Sequence, residues 1–178
     1  ILAPEQEQSK QPGMEYLMNP RPIFDNPNYK GSGKLKDKVA IITGGDSGLG
    51  RACAIFFAKE GAKLVIPYYN EHRDAQETKR YIESLGGECI LLSGDISDKN
   101  FCKCIVNTTL QKFGKIDVLV NNAGFGLFGR FDETKLDTEL DMIDLNIKTV
   151  HTLTKLFLKD FKKRNSGYIL NVASAAAF

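Results

Sequence analysis

The stretch Thr43-Gly44-Gly45-Asp46-Ser47-Gly48-Leu49-Gly50 lies between a short apolar run, 39–43, and a segment whose apolar residues have helical spacing, 51–59. Glycines at positions 44, 48 and 50 allow the backbone to turn tightly and to approach a ligand closely. A helix that begins near Gly48 would present unpaired amide N–H groups and the positive end of its dipole at that turn. The stretch therefore predicts a strand, a glycine-rich turn and a helix that together bind a diphosphate.

A phosphate-binding loop of the nucleotide-hydrolase type is an alternative interpretation of the same glycines. Gly45 and Gly50 have the glycine spacing of such a loop. Arg51 and Ala52, however, occupy the positions where that loop needs Lys and Ser or Thr to contact phosphate and magnesium. ATP hydrolysis is therefore disfavoured, and a plain turn without a ligand is the remaining alternative.

Strand-like and helix-like segments alternate on the C-terminal side of this loop. Short turns between them indicate crossover units, and hence a parallel sheet with helices on both faces. The predicted fold class is α/β, a Rossmann-like doubly wound parallel sheet. The predicted strands are 39–43, 63–68, 88–93, 117–120 and 168–172, and the predicted helices are 51–59, 72–85, 98–113 and 137–163.

Residues 1–36 differ in composition from the rest of the chain. They hold all but one of the 6 prolines, so we predict an irregular N-terminal extension, ordered or loose, before a domain at 37–178. Residues 29–34 have the composition of a linker. The side chains apolar enough to attach this arm to a surface are Met14, Leu17, Met18, Ile23 and Phe24.

The composition suits one soluble domain. The 178 residues include 24 Lys and Arg against 22 Asp and Glu, so no basic field favours nucleic acid or a membrane surface. The apolar run 52–58 is far shorter than the roughly 20 residues of a membrane span. The 4 cysteines and 2 histidines lack zinc spacing, so we predict no metal site and reduced thiols in a cytoplasmic protein. The first residues contain no Met and no secretion signal, which is typical of a trimmed sequence.

Two motifs together resemble the short-chain dehydrogenase/reductase family. Thr43-Gly44-x-x-x-Gly48-x-Gly50 matches the cofactor loop of that family, and Asn121-Asn122-Ala123-Gly124 matches its second motif. Further matches occur at 94–96, 146 and 171–174, so that the resemblance covers roughly residues 35–178. It implies an oxidoreductase that uses NAD(P) to transfer hydride between nicotinamide and a small alcohol, aldehyde, ketone or sugar. It also implies that the full-length parent is a homo-oligomer.

The resemblance implies roles for individual residues. Asp95 would bond the adenine amino group, and Ile96 would lie against the base. Ser174 matches the catalytic serine, and Asn146 matches the asparagine that holds a proton-relay water. Two structural alternatives remain open: Asp95 only caps the helix that follows it, and Asn121 only ties strands together through its side-chain amide. The candidate cofactor-binding residues are Thr43, Gly44, Ser47, Gly48, Leu49, Gly50, Asn70, Asp95, Ile96, Asn122, Ala123 and Gly124.

The general acid/base of the family is a Tyr followed four residues later by a Lys, which lowers the tyrosine pKa. The sequence contains no such pair, and Tyr69 with Arg73 comes nearest. We therefore interpret the chain as the cofactor-binding part of such an enzyme, with a sheet that is incomplete at its C-terminal end and leaves its fifth strand as an exposed edge. Cofactor binding without turnover is expected. The alternative is a non-catalytic nucleotide-binding or regulatory module.

The end of the second predicted strand bears on the choice between NADP and NAD. An acid there would bind the ribose 2′-hydroxyl of NAD, whereas a nearby Arg accommodates the 2′-phosphate of NADP. The strand ends Tyr68-Tyr69-Asn70-Glu71, so that Asn70 takes the usual position and Glu71 falls slightly late. Because Arg51 is close to the glycine loop in sequence, NADP is favoured.

The resemblance changes along the chain. Through about Cys102 the sequence is similar to bacterial aldehyde- or glucose-type reductases with an N-terminal arm. From about Lys103 the sequence resembles another branch of the family. A join of two sequences is one hypothesis. Sequencing the encoding locus through both ends tests this hypothesis. A continuous reading frame that extends into a Tyr-x-x-x-Lys would rule out a join and leave ordinary divergence and truncation as the explanation.

Overall fold

The computed structural model describes Gln6, Gln8 and residues 13–174. Its strands form one sheet in the order β3-β2-β1-β4-β5, and every pairing is parallel. The chain steps outward from β1 in one direction and then returns to β4 on the other side of β1, which is the doubly wound topology predicted. The strands are β1 (Val39–Ile42), β2 (Lys63–Tyr68), β3 (Cys89–Ser93), β4 (Val118–Asn121) and β5 (Tyr168–Asn171).

Two apolar clusters cover the two faces of the sheet. Successive strand residues point to opposite faces, so that Ala40 and Ile42 join one cluster and Ile41 joins the other. Both faces of β1 are fully buried, which explains why its sequence is continuously apolar rather than alternating. The helices of the domain are α1 (Gly48–Lys59), α2 (His72–Ser84), α3 (Lys99–Phe113), α4 (Leu136–Ile143) and α5 (Val150–Arg164), of which α4 has no buried residue.

The single helix predicted at 137–163 is wrong in its middle. A π-helical segment, Asp144–Thr149, separates α4 from α5. The Thr149 hydroxyl donates to the carbonyl of Asp144, five residues earlier, at 2.9 Å, a spacing that suits the wider π turn. The segment places Asn146 on a locally distorted backbone, and such distortions are frequent at functional sites.

Strand β5 lies at the edge of the sheet, as predicted. Among the described residues it pairs with β4 alone, and the side chains of Tyr168 and Leu170 are 65% and 48% exposed. An edge of this kind presents unpaired backbone groups to whatever covers it.

The part of the N-terminal arm that is described packs on the domain. The predicted linker is wrong, because residues 29–34 are tied to Glu60 at the end of α1. The Glu60 carboxylate accepts the Tyr29 hydroxyl and the backbone N–H groups of Ser32 (3.0 Å) and Lys34 (2.8 Å). These donors, the Tyr29 hydroxyl first, lower the pKa of Glu60 to about 2.

The arm is attached mainly by polar contacts. Leu17 and Ile23 are 61% and 95% exposed, so the prediction of apolar attachment is wrong for both. Phe24 does pack, with its ring centroid 5.4 Å from that of Tyr81 in an edge-to-face arrangement. The arm is also not wholly irregular, since Glu15–Leu17 forms a short 3₁₀ helix, whose Glu15 is buried.

Candidate functional site

A cavity of about 620 Å³ opens at the carboxyl ends of β1, β2, β3 and β4. This is the point where the chain reverses direction across the sheet, and open α/β sheets bind ligands there. The cavity brings together residues that follow four different strands. Nine of the twelve candidate cofactor-binding residues line it: Gly44, Ser47, Gly48, Leu49, Asp95, Ile96, Asn122, Ala123 and Gly124.

The glycine loop passes close beneath the start of α1. A Cβ atom at Gly50 would lie 2.1 Å from the carbonyl oxygen of Gly44 and 2.5 Å from Nδ2 of Asn122, so that no larger residue fits. Gly48 has a φ of +52°, and no described atom lies within 4 Å of the place its Cβ would take. The loop is therefore packed against protein at Gly50 and faces open space at Gly48.

Thr43 and Asn122 hold the loops after β1 and β4 together. The Thr43 hydroxyl accepts the backbone N–H groups of Asn122 and Ala123, both at 3.0 Å. The side-chain amide of Asn122 donates to the carbonyls of Thr43 and Gly44, both at 3.1 Å. Thr43 and Gly50 are outside the cavity lining, and they shape the loops that form it.

Asp95 is exposed in the turn after β3, with Oδ1 accepting the backbone N–H of Ser97 at 2.8 Å. The alternative that Asp95 caps α3 is wrong, because the N-cap is Asp98, whose Oδ1 accepts the N–H of Asn100 at 2.8 Å. Ile96 is buried in the cluster beneath the cavity. The two neighbours thus supply an exposed carboxylate and an apolar wall.

The two candidate catalytic residues occupy different places. Asn146 bonds the backbone of Phe125 twice, donating from Nδ2 to the carbonyl at 2.8 Å and accepting the N–H on Oδ1 at 3.2 Å. It therefore ties the π segment to the loop after β4, beside Gly124. Ser174 is exposed beyond the carboxyl end of β5, and neither Ser174 nor Asn146 is among the residues that line the cavity.

Asn121 links three elements through its side chain. Its Nδ2 donates to Oγ1 of Thr154 on α5 at 3.1 Å and to Oδ1 of Asn171 on β5 at 2.8 Å. The cross-strand alternative considered for Asn121 is thereby confirmed.

Two buried carboxyl groups line the end of the cavity near β2, and the sequence pattern did not select either. Burial raises the pKa of Asp46 to about 6, and the nearby negative charges of Glu71 and Asp74 add to the shift. Glu71 is buried, with Oε2 accepting the N–H of Asn70 at 3.1 Å and Oε1 lacking a hydrogen-bond partner among the described residues. Asn70 itself is exposed outside the cavity lining. The position of Glu71 just after β2 was the available signal.

The inference that Arg51 serves a 2′-phosphate is wrong. Arg51 is 1% exposed and turned away from the cavity into a buried polar cluster. Its guanidinium pairs with Glu15 through Nη1, donates to the carbonyl of Asp74 at 3.0 Å through Nη2, and donates to Oγ1 of Thr78 at 2.7 Å through Nε. A guanidinium buried among these partners, outside the cavity lining, cannot reach a cofactor phosphate in the cavity.

The described residues provide neither a metal-binding cluster nor a membrane-spanning helix. Within Gln6, Gln8 and residues 13–174, no group of three or more His, Cys, Asp or Glu residues is placed to hold a metal ion. No helix in those ranges combines the length and apolarity needed to cross a membrane. The four cysteines are free thiols. Burial raises the pKa of Cys53 to about 11 and that of Cys89 to about 12, so both remain protonated near neutral pH.

Comparisons with known proteins agree with this geometry. The uncharacterized oxidoreductase YhxC of Bacillus subtilis is 46% identical over 184 residues, which cover 98% of this chain and 60% of YhxC. NADPH-dependent aldehyde reductase 1 of Arabidopsis thaliana, a chloroplastic protein, is 37% identical over 188 residues, which cover 100% of this chain and 64% of the reductase. The chain thus spans less than two-thirds of the length of these relatives. Both relatives match this chain across the position after Cys102 where the resemblance changes.

A solved structure and a family model complete the comparison. A short-chain dehydrogenase from Burkholderia cenocepacia, crystallised with NADP, superimposes with a TM-score of 0.72 at 30% identity, covering 81% of this chain and 58% of that one. The family model described as short chain dehydrogenase matches residues 38–178. Sequence motifs, sheet topology and these matches agree, and the chain belongs to the short-chain dehydrogenase family.

Proposed function

We propose that this chain is the NADP-binding part of an oxidoreductase that interconverts an alcohol and a carbonyl compound. The observation that carries the proposal is the cavity at the carboxyl ends of four parallel strands, lined by the glycine loop, Asp95 and residues 122–124. The Arabidopsis relative is named as NADPH-dependent, and the Burkholderia structure contains NADP. Both names support the choice of cofactor.

The residues present fit a dinucleotide. The open space above Gly48, at the N-terminus of α1, suits a diphosphate, because amide N–H groups and the helix dipole attract anions there. Asp95 would accept a hydrogen bond from the adenine amino group, and Ile96 would lie against the base. Residues 122–124 would form the wall beside the nicotinamide ribose. The bound cofactor supplies the hydride, and the chain supplies the binding surface.

The catalytic assignments extend this proposal. Ser174 would bond the substrate oxygen, and Asn146 would hold a water in the proton relay. The sequence contains no Tyr-x-x-x-Lys pair, so this chain is proposed to bind cofactor without turnover. A small alcohol, aldehyde, ketone or sugar is the proposed substrate of the whole protein, a cytoplasmic homo-oligomer. The proposed dinucleotide-binding domain is 37–178, with residues 1–36 as an extension.

Calorimetric titration of the chain with NADPH, NADH and MgATP tests the cofactor. We expect NADPH to bind most tightly, and MgATP not to bind, because Arg51 and Ala52 replace the Lys and Ser or Thr of an ATP loop. The buried carboxyl groups of Asp46 and Glu71 would repel a 2′-phosphate, which NADPH carries and NADH lacks. The ratio of the NADPH and NADH affinities therefore reports their influence. Tighter binding of NADH would overturn the choice of NADP, and binding of neither dinucleotide would overturn the proposed function.

A non-catalytic nucleotide-binding module is the competing function. Oxidation of NADPH by the full-length parent with a panel of aldehydes and sugars separates the two. Turnover supports the oxidoreductase, and cofactor binding by the parent without turnover of any substrate in the panel supports the module.

A further inference from the structure

The N-terminal arm reaches the glycine loop through one carboxylate. Glu15 is 4% exposed, and its Oε2 accepts the backbone N–H of Gly48, the first residue of α1, at 2.6 Å. That N–H belongs to the first turn of a helix, where no intrahelical acceptor is available. A hydrogen bond between an amide and an ionised carboxylate is stronger than one between neutral groups. The contact therefore fixes the backbone of the loop at Gly48.

A second set of contacts holds the same loop two residues earlier, at Asp46. The carbonyl of Asp46 accepts from Nε of Arg51 at 3.0 Å and from the hydroxyl of Thr78 at 2.8 Å. Arg51 is itself paired with Glu15, so that both attachments of the loop belong to one buried cluster. The arm makes a second contact with this cluster, because the backbone N–H of Tyr16 donates to Oδ1 of Asp74 at 3.1 Å.

The direction of the contact decides what the carboxylate does. Gly48 and Leu49 line the cavity, whereas Glu15 does not. Glu15 thus approaches the loop from the side away from the cavity. Its charge is balanced by Arg51 and by Arg21, whose Nη2 lies 3.7 Å from Oε1. A carboxylate so placed orients the loop without occupying the space proposed for the diphosphate.

We propose that the N-terminal arm is a working part of the cofactor site, with Glu15 as the positioning residue that holds the glycine loop in its diphosphate-binding shape. This inference rests on the proposed function. A loop with a positive φ at Gly48 has several backbone alternatives, because glycine tolerates both signs of φ. Fixing one of them before the cofactor arrives removes an ordering cost from binding.

The test compares Glu15→Gln with Glu77→Gln in the full chain. A glutamine at 15 must turn its NH₂ group toward either the Gly48 N–H or the Arg51 guanidinium, which places donor against donor. We expect NADPH to bind about tenfold more weakly. Glu77 is a matched control, because it also pairs with Arg21, bidentately at 2.8 and 2.9 Å, and in the described part of the chain it makes no hydrogen bond or ion pair with the glycine loop. Its variant should change affinity by less than about twofold.

Two further readouts separate positioning from a loss of structure. Binding of 2′-AMP, which has no diphosphate, should be unchanged in Glu15→Gln, whereas partial unfolding would weaken both ligands. The Gly48 amide proton should resonate downfield in the wild-type NMR spectrum and move upfield in Glu15→Gln. If that variant does not fold, the wild-type Gly48 resonance is followed during NADPH addition, and its downfield position should persist.

Each other outcome counts against the inference. Equal or tighter NADPH binding by Glu15→Gln, or equal weakening by both variants, would overturn it. An unchanged Gly48 resonance in Glu15→Gln would also overturn it. The same holds if the wild-type Gly48 resonance loses its downfield position when NADPH binds. Failure of the wild-type chain to bind NADPH would instead overturn the proposed function on which the inference rests, and the Gly48 resonance would still report whether the contact exists.

Discussion

Replacement of Arg51 by methionine is expected to lower the free energy of unfolding by about 3–5 kcal/mol, since the buried carboxylates of Glu15 and Asp74 would lose their closest cation and keep only the partly exposed Arg21, 3.7 and 3.8 Å away. Arg51 is 1% exposed, and its two partners are 4% and 0% exposed. Oδ2 of Asp74 already lacks a hydrogen-bond partner among the described residues, so no donor there stands ready to replace the guanidinium. Urea denaturation followed by circular dichroism measures the loss.

Arg130→Met is the control for this measurement. Arg130 pairs with Asp132 at 3.0 Å and with Glu133 at 3.3 Å, but its side chain is 72% exposed. Exposed ion pairs contribute about 1 kcal/mol at most, so the control should unfold close to the wild type. Equal losses in the two variants would contradict the view that the buried cluster around Arg51 holds the arm, the glycine loop and α2 together.

Replacement of Gly50 by alanine is expected to abolish detectable NADPH binding. The new methyl group would meet the carbonyl oxygen of Gly44 at 2.1 Å and Nδ2 of Asn122 at 2.5 Å, and neither is the end of a flexible side chain free to move away. Relief requires α1 to move away from the loop, which displaces the amide groups that would face the diphosphate. Calorimetric titration with NADPH measures the effect.

Gly126→Ala is the matched control for the alanine at 50. A methyl group at Gly126 would make ordinary contact, 3.5 Å from the ring of Phe128. The variant should fold and bind NADPH like the wild type. Retained affinity in Gly50→Ala would show that the close approach of the loop to α1 is not needed for binding.

Residues close together in the sequence made the fold predictable. The apolar run of β1, the glycines after it and the helical spacing of α1 all lie within 39–59, and each favours the same strand, turn and helix. The bounds of β2 were predicted without error, and those of the remaining strands within one residue at each end. Composition alone suggested one soluble domain, whereas this chain spans 60% of YhxC and 64% of the Arabidopsis reductase.

Long-range polar contacts were the part that the sequence could not predict. Arg51 meets Glu15 across 36 positions and Asp74 across 23, and no periodic pattern connects such residues. Proximity of Arg51 to the glycine loop in sequence suggested a phosphate ligand, but its side chain extends away from the cavity. Similarly, the apolar spacing of 137–163 gave no indication of the π segment, which is accompanied by the bond from the Thr149 hydroxyl to the Asp144 carbonyl.

The most direct test of cofactor binding is a map of the backbone amide resonances that change when NADPH is added to the isotope-labelled chain. The changes should concentrate at the carboxyl ends of the strands, at Gly44, Leu49, Asp95 and Ala123. The amide of Gly114, which ends α3 and lies outside the cavity lining, should remain unshifted. Changes centred on Gly114, or none at all at saturating NADPH, would contradict the assignment of the cavity as the cofactor site.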